Sequence, residues 1–346
     1  MELSNSEYFV LFGSSFITVS FLTALMRRVA LRYGVIDSPN EAHKSHKEPV
    51  PYLGGVAIVL GVLLITLISS FVSHYSASTI WLAVSVLLPA LLLAVVGLID
   101  DIRKLSPWPR FIVQTSVASV SALLLVATDT LGSPTGSTFV DVLITILWIV
   151  GLANAINFFD NVDGGASGAI AISSGFLALL AVQGGQVLIA ALSMVLCGAT
   201  LGFLVWNKPP ARIYMGDAGA LFLGVLIASL SIRLDPNPIN RISSFAVPVF
   251  LLAIPILDAS VAVTKRLKRG VSPFQGGRDH LSHRLMGRGI EKRKTVFILW
   301  LLSALFALLA VAISIAPYWL EGVVAGFGVF LWIVFFILFS FQKDEN

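Results

Sequence analysis

Eleven apolar runs divide the chain, at roughly 8–26, 53–72, 79–99, 111–127, 139–159, 165–182, 186–206, 218–234, 245–264, 295–315 and 319–341. A helix needs about 20 mostly apolar residues to cross the hydrocarbon core of a bilayer, so each run predicts one transmembrane helix. Most intervals between runs are too short to fold by themselves. The pattern therefore predicts an all-α, polytopic integral membrane protein with about 11 transmembrane helices, a single domain over residues 1–346. No soluble domain, low-complexity segment or internal repeat interrupts it. The first run has no basic segment ahead of it, so it reads as a retained helix rather than a signal peptide.

The polar links between runs alternate in character. Odd-numbered links carry "RRVALRYGVIDSPNEAHKSHKEPVPY", "DDIRKLSPWPR", "DNVDGG", "NKPPARIYMGD" and "KRLKRGVSPFQGGRDHLSHRLMGRGIEKRK"; even-numbered links carry "SHYSAS", "TDTLGSPTGS", "QGGQ", "DPNPINRI" and "APYW". Of the 23 Lys and Arg, only Arg233 and Arg241 fall outside the odd set and the C-terminal tail. Basic residues stay on the cytoplasmic side of a membrane, which predicts an N-terminus outside and a C-terminus in the cytoplasm. Links 27–52, 100–110, 160–164, 207–217 and 265–294 then form one cytoplasmic face, where any chemistry must sit.

Composition narrows the function classes. A chain that is 57% hydrophobic and 12% charged, with a mean hydropathy of +0.90, is no ordinary soluble domain. Its pI of about 9.3 comes from loops beside membrane helices. The lipid bilayer, anionic headgroups and phosphate-bearing substrates are its natural partners, and nucleic acid is not. Cys197, the single cysteine, lies inside the seventh run and reads as a small packing residue.

Several polar groups stand out. Asp100 and Asp101 end the third run; adjacent on a helix, their side chains diverge by about 100° and should have different roles. A solvated helix end balanced by Arg103 and Lys104 is the plainer reading. Asn154, Asn157, Asp160 and Asp163 recur every three residues, which stacks them on roughly one helix face. Gly164 and Gly165 follow, allowing a sharp turn. Asn side chains binding helices together are the structural alternative there. Asp217 opens the eighth run, where it could be a helix cap. With oxygens from Asp100 or Asp160 it would instead make a hard-cation site suited to Mg²⁺. In the last link, Lys265, Arg266, Lys268, Arg269, Arg278 and Arg284 are positive-inside anchors first, and phosphate ligands beside a cation second. His280 with His283, and His43 with His46, form two i, i+3 pairs; structural zinc sites rarely lack Cys, so phosphate or sugar contact suits them better. Asp258, inside the ninth run, needs a partner, with Lys265 or Arg266 in reach.

Together these motifs resemble the polyprenyl-phosphate N-acetylhexosamine-1-phosphate transferases, with the phospho-MurNAc-pentapeptide translocase as a more distant member. The resemblance runs from about Asp37 to Leu285 and keeps the order of all five odd links. "HKSHKEPVPYLGG" is similar to the family's first loop, with His43 where Arg is usual. "GLIDDIRKLSP" matches its Asp-Asp motif. "NAINFFDNVDGG" departs from the family pattern at Asn161, in place of Gly, and at Gly165, in place of Leu. "PARIYMGDAGALFLG" resembles the metal-binding segment, with Ala220 where Ser is common. "SPFQGGRDHLSHRL" resembles the final loop, with Ser282 in place of a His and Gly277 in place of an acidic residue.

What the resemblance implies is a Mg²⁺-dependent transfer, with Mn²⁺ as a substitute ion, from a UDP-N-acetylhexosamine to a polyprenyl (undecaprenyl) phosphate. The products would be a polyprenyl-diphosphate-sugar and UMP, opening the synthesis of a cell-envelope polysaccharide such as O-antigen lipopolysaccharide or cell wall polymer. Asp217 and Asp160 would bind metal, and Asp100 and Asp101 would be catalytic. Lys44, His46, Asn157, Asp163, Arg266, His280 and His283 would hold nucleotide, sugar or phosphate. Localisation would be the bacterial cytoplasmic (inner) membrane. A transporter would place its polar groups near mid-membrane with repeats, and a CDP-alcohol phosphotransferase would gather its carboxylates on one segment; neither pattern is present. Direct transfer and an aspartyl intermediate both fit. The sugar, prenyl length and oligomeric state, a homodimer included, stay open. The two departures in the last loop, Gly277 and Ser282, are expected to bear on the choice of sugar.

Overall fold

A computed structural model describes residues 3–37, 49–72, 75–103, 105–127, 135–236 and 241–341. Every apolar run is helical. The elements are α1 (Asn5–Tyr33), β1 (Ile36–Asp37), β2 (Val50–Pro51), α2 (Gly54–Val72), α3 (Ala77–Arg103), α4 (Pro107–Ala127), α5 (Thr138–Phe159), α6 (Gly165–Gln183), α7 (Val187–Asn207), α8 (Gly216–Ile232), α9 (Arg241–Leu251), α10 (Ala253–Lys268), α11 (Leu281–Gly287), α12 (Lys292–Ile315) and α13 (Tyr318–Ser340). Among the described residues, nine helices are long and apolar enough to cross a membrane, or ten with the bent pair α9–α10. The eighth run, α8, is a 17-residue apolar helix.

The interior is made by the helices richest in small residues. α8 is buried on every side from Ala218 to Ser231 and packs against α3, α5 and α2. A helix apolar all round belongs inside a bundle, and small residues let backbones approach where lipid offers no hydrophobic contrast. A Cβ on Gly55 of α2 would lie 2.2 Å from the Gly219 amide of α8, and one on Gly97 of α3 would lie 2.5 Å from the Asp217 carbonyl. Two helices thus close directly on the first turn of α8. Cys197 is buried as expected, its thiol donating to the Ala171 carbonyl at 3.3 Å.

Three features depart from the expected helices and loops. The ninth run is two helices, bent 76° at Leu252. Pro255 has no N–H to give the Leu251 carbonyl, and the Ser173 hydroxyl of α6 takes that carbonyl instead, at 2.6 Å. The first link includes a short antiparallel ribbon, Ile36 opposite Pro51 and Asp37 opposite Val50. The last link contains α11. These pieces, with the ends of α3, α5 and α10 and the start of α8, surround one cavity of about 620 Å³.

Candidate active site

The cavity draws on all five odd-numbered links: Asp37 and Tyr52, then Asp100, Asp101 and Arg110, then Asn157, Phe158 and Asp160 to Asp163, then Tyr214 and Asp217, then Arg266, Phe274, His280 and His283. Nine of the eleven residues singled out from the sequence line it; Lys44 and His46 lie outside the described residues.

The adjacent aspartates have separate surroundings, as the helical offset requires. Asp101 accepts the backbone amides of Asp217 at 2.8 Å and Ala218 at 3.1 Å. It therefore caps α8 from another helix, supplying the acceptor that free N–H groups at a helix start need. Gly216 makes this approach feasible: its φ is +70°, and a Cβ there would sit 2.6 Å from the Asp101 carboxylate. The Tyr52 hydroxyl donates to the Asp101 carbonyl at 2.9 Å, tying in the first link. Asp100 instead accepts Arg110 Nη1 at 2.5 Å and the Leu105 amide at 2.6 Å.

Asp217 is the meeting point. Its Oδ1 accepts Asn157 Nδ2 at 2.7 Å, and its Oδ2 accepts the same Arg110 nitrogen at 2.7 Å. Asn154, one turn earlier on α5, donates to Gln114 and to the Val150 carbonyl, binding α5 to α4 below the site. Asp160, at the end of α5, faces the cavity. Burial, then the charges of Asp217, Asp163 and Asp101, push its carboxyl well above the usual carboxylate range. Asp163 is turned to the protein, accepting the Ala211 amide at 3.0 Å and Lys292 Nζ at 3.2 Å. Asn207, which sequence reasoning missed, clamps the same turn by accepting from the Gly164 amide and the Ser167 hydroxyl while donating to the Ile213 carbonyl.

The opposite wall is cationic and held from below. Asp258, 0% exposed, accepts the Leu281 amide at 2.7 Å and pairs with His280 Nδ1 at 2.7 Å. With Nδ1–H donated to Asp258, His280 Nε2 is left to accept Arg266 Nη2 at 3.1 Å. Arg266 also donates to the Pro273 carbonyl and to Asp279, and lies over the Phe158 ring at 5.1 Å. A histidine from the last link, His280, thus pairs with Asp258 of α10. Both His280 nitrogens are engaged within the protein, so His280 orients Arg266. His283 is different: its Nδ1 has no partner among the described residues, and burial, then His280, depresses its pKa to about 4, keeping it neutral at physiological pH.

Arg110, Tyr52, Asn207, Asp279 and Phe158 were the functional neighbours not singled out. Arg110 carried a signal, a basic residue ten positions after Asp100, but in the sequence it counted only among the basic residues of the odd-numbered links.

The sequence model of glycosyl transferase family 4 matches residues 83–235. The chain is 33% identical to a Bacillus subtilis (strain 168) protein described as a probable undecaprenyl-phosphate N-acetylglucosaminyl 1-phosphate transferase, over 96% of this chain and 90% of that one. The chain belongs to this polyprenyl-phosphate N-acetylhexosamine-1-phosphate transferase family. It is also 33% identical to the decaprenyl-phosphate N-acetylglucosaminephosphotransferase of Mycolicibacterium smegmatis, over 83% of this chain and 77% of that one. Identity to the phospho-N-acetylmuramoyl-pentapeptide-transferase of Shouchella clausii is 30%, over 80% of this chain and 87% of that one.

Membership gives meaning to two departures from the family's motifs. Asn161, where Gly is usual, accepts a hydrogen bond from the hydroxyl of Ser282, where His is usual. The two side chains meet in the same space. Ser282 is 1% exposed and turned to Asn161, so its effect on the sugar would pass through Asn161, which does line the cavity. Returning only Ser282→His crowds a filled space, and returning only Asn161→Gly leaves a buried hydroxyl without its acceptor. Each single change should cost about 1–3 kcal/mol, and the double Asn161→Gly/Ser282→His should recover most of the loss. Thermal unfolding of the four proteins in detergent measures this coupling; strictly additive losses would contradict it.

Proposed function

We propose that this protein transfers an N-acetylhexosamine 1-phosphate from a UDP-sugar to a polyprenyl phosphate in the bacterial cytoplasmic membrane, releasing UMP. The observation that carries the reading is one cavity at the end of an apolar bundle, lined on one wall by Asp100, Asp101, Asp160 and Asp217 and on the other by Arg266 beside His280. A soluble nucleotide and a lipid phosphate can meet only at such a boundary. The names of the relatives supply the substrate classes. An oxygen of the lipid phosphate attacks the β-phosphorus of the UDP-sugar, the bond from that phosphorus to the bridging oxygen breaks, and UMP leaves.

The donor set suits a hard divalent cation. Its ligands would be carboxylate oxygens only, and the carboxyl of Asp160 is pushed up by burial first and then by like charges, the second of which such a cation would relieve. Among the described residues no group of three or more Asp, Glu, His or Cys is placed to hold a metal ion by itself, so diphosphate oxygens and water would have to complete the shell, as is usual for Mg²⁺. Asp217 and Asp160 would hold it, and it would neutralise charge on the diphosphate. Asn157 positions Asp217, and Asp101 fixes the helix that carries it. Arg266, held by His280, Asp279 and Phe158, presents a fixed positive group to a phosphate. Asp100 would position the lipid phosphate.

We further read the bundle as eleven crossings, with α8 and the bent α9–α10 each spanning once, the N-terminus outside and the cavity facing the cytoplasm. The asymmetry of Lys and Arg supports this orientation.

Purified protein given undecaprenyl phosphate and UDP-GlcNAc with Mg²⁺ or Mn²⁺ should form the lipid diphosphate-sugar and UMP. EDTA should abolish turnover, and Asp217→Asn should lower it by about 10²-fold or more while unfolding near the wild-type temperature. Product formation in excess EDTA, or no product from any UDP-N-acetylhexosamine, would contradict the reading. For orientation, an impermeant maleimide should label Ser76→Cys in intact cells and Ser272→Cys only after permeabilisation, both in a Cys197→Ala background. The reverse pattern would invert the topology.

A further inference from the structure

Arg110 stands in the first turn of α4, and a single nitrogen of its guanidinium bridges two helices. Nη1 lies 2.5 Å from Asp100 Oδ2 and 2.7 Å from Asp217 Oδ2. The remaining oxygens are taken as well: the Leu105 amide donates to Asp100 Oδ1 at 2.6 Å, and Asn157 donates to Asp217 Oδ1 at 2.7 Å. Each Asp217 oxygen thus already accepts one hydrogen bond, and Oδ2 faces the guanidinium charge that an incoming cation would meet. Two partly buried carboxylates this close need a positive charge between them, and Arg110 supplies it.

A divalent ion would enter among the same oxygens with twice the charge, so ion and guanidinium compete. A guanidinium binds oxyanions through several N–H groups in a planar fork. Here only one nitrogen is spent on the carboxylates, so the group is poorly matched to them and well suited to exchange them for a phosphate. We propose that Arg110 is a positioning residue of the transfer reaction: it is the counter-cation of the Asp100–Asp217 pair in the empty enzyme, it is displaced when the divalent ion binds, and it then engages a phosphate oxygen of a substrate in the same cavity. This rests on the cation reading above. It makes ion loading a precondition for phosphate capture, since the same guanidinium cannot serve both partners with the same nitrogen.

The test is Mn²⁺ titration of full-length protein in nanodiscs without substrate, read by electron paramagnetic resonance of the free ion. An opposing charge at this distance shifts a carboxylate by about 1–3 pKa units, so Arg110→Gln should bind Mn²⁺ about tenfold tighter or more. Arg110→Lys, which keeps the charge, should fall between that variant and wild type. In wild type, Mn²⁺ should also raise phenylglyoxal modification of Arg110, read by peptide mass spectrometry, and inorganic pyrophosphate added with Mn²⁺ should suppress it again. Unchanged or weaker Mn²⁺ binding in Arg110→Gln, or phenylglyoxal modification that Mn²⁺ leaves unmoved, would overturn the counter-cation role. Should Arg110→Gln fail to fold, the phenylglyoxal experiment on wild type decides alone. Wild-type binding lost in Asp217→Asn but unmoved in Arg110→Gln would overturn only this inference. Equal binding by wild type and Asp217→Asn would instead remove Asp217 from the cation site and take the inference with it.

Discussion

The site depends on how four like charges are kept together at the end of an apolar bundle. Asp100, Asp101, Asp160 and Asp217 line one cavity, and without compensation each would resist the ionisation of the others. The protein compensates three of them, in two ways. Asp101 accepts the two amides that open α8, where the helix dipole favours negative charge. Asp100 and Asp217 share one arginine. Asp160 is left with burial and the charges of Asp217, Asp163 and Asp101, which hold its carboxyl well above the usual carboxylate range. Compensation by backbone holds a carboxylate in place, whereas compensation by a side chain can be exchanged. That difference separates the fixed part of the site from the part that can respond to a ligand.

Packing serves the same end. The first turn of α8 can carry Asp217 into the cavity only because α2 and α3 approach it through Gly55 and Gly97, within contact that no Cβ would permit. The bend at Leu252 does for the opposite wall what those glycines do for the first. It directs α10 so that Asp258 can support His280 and, through it, Arg266. Anionic and cationic walls are built by separate helices, and the cavity is the space between them.

Much of this was legible in the sequence. Hydrophobic length alone located every long helix, because a bilayer imposes that length, and alternation of polar links gathered the functional residues on one side. The 100° offset between Asp100 and Asp101 correctly implied unlike surroundings. Contacts between distant segments were not legible. Nothing local marks Asp101 as a cap for a helix more than 100 positions away, and Arg110 resembles any other interfacial anchor. The turn of α10 follows from Pro255, but a proline in an apolar run signals only a bend, without its direction. The pairing of Asn161 with Ser282 joins two positions that look unrelated until the last link folds over the end of α5.

The central claim is that Asp101 acts on the backbone of α8, fixing Asp217 for the reaction. Hydrogen exchange at the amides of Asp217 and Ala218, followed in Asp101→Asn alongside turnover, tests it most directly. Because Asn offers one acceptor where Asp offers two, and no charge, exchange at those two amides should accelerate by about fivefold, consistent with the ~1 kcal/mol that a helix cap is worth, and turnover should fall with it. Loss of turnover with exchange at both amides unchanged would contradict the account and make Asp101 a group that meets the substrate itself.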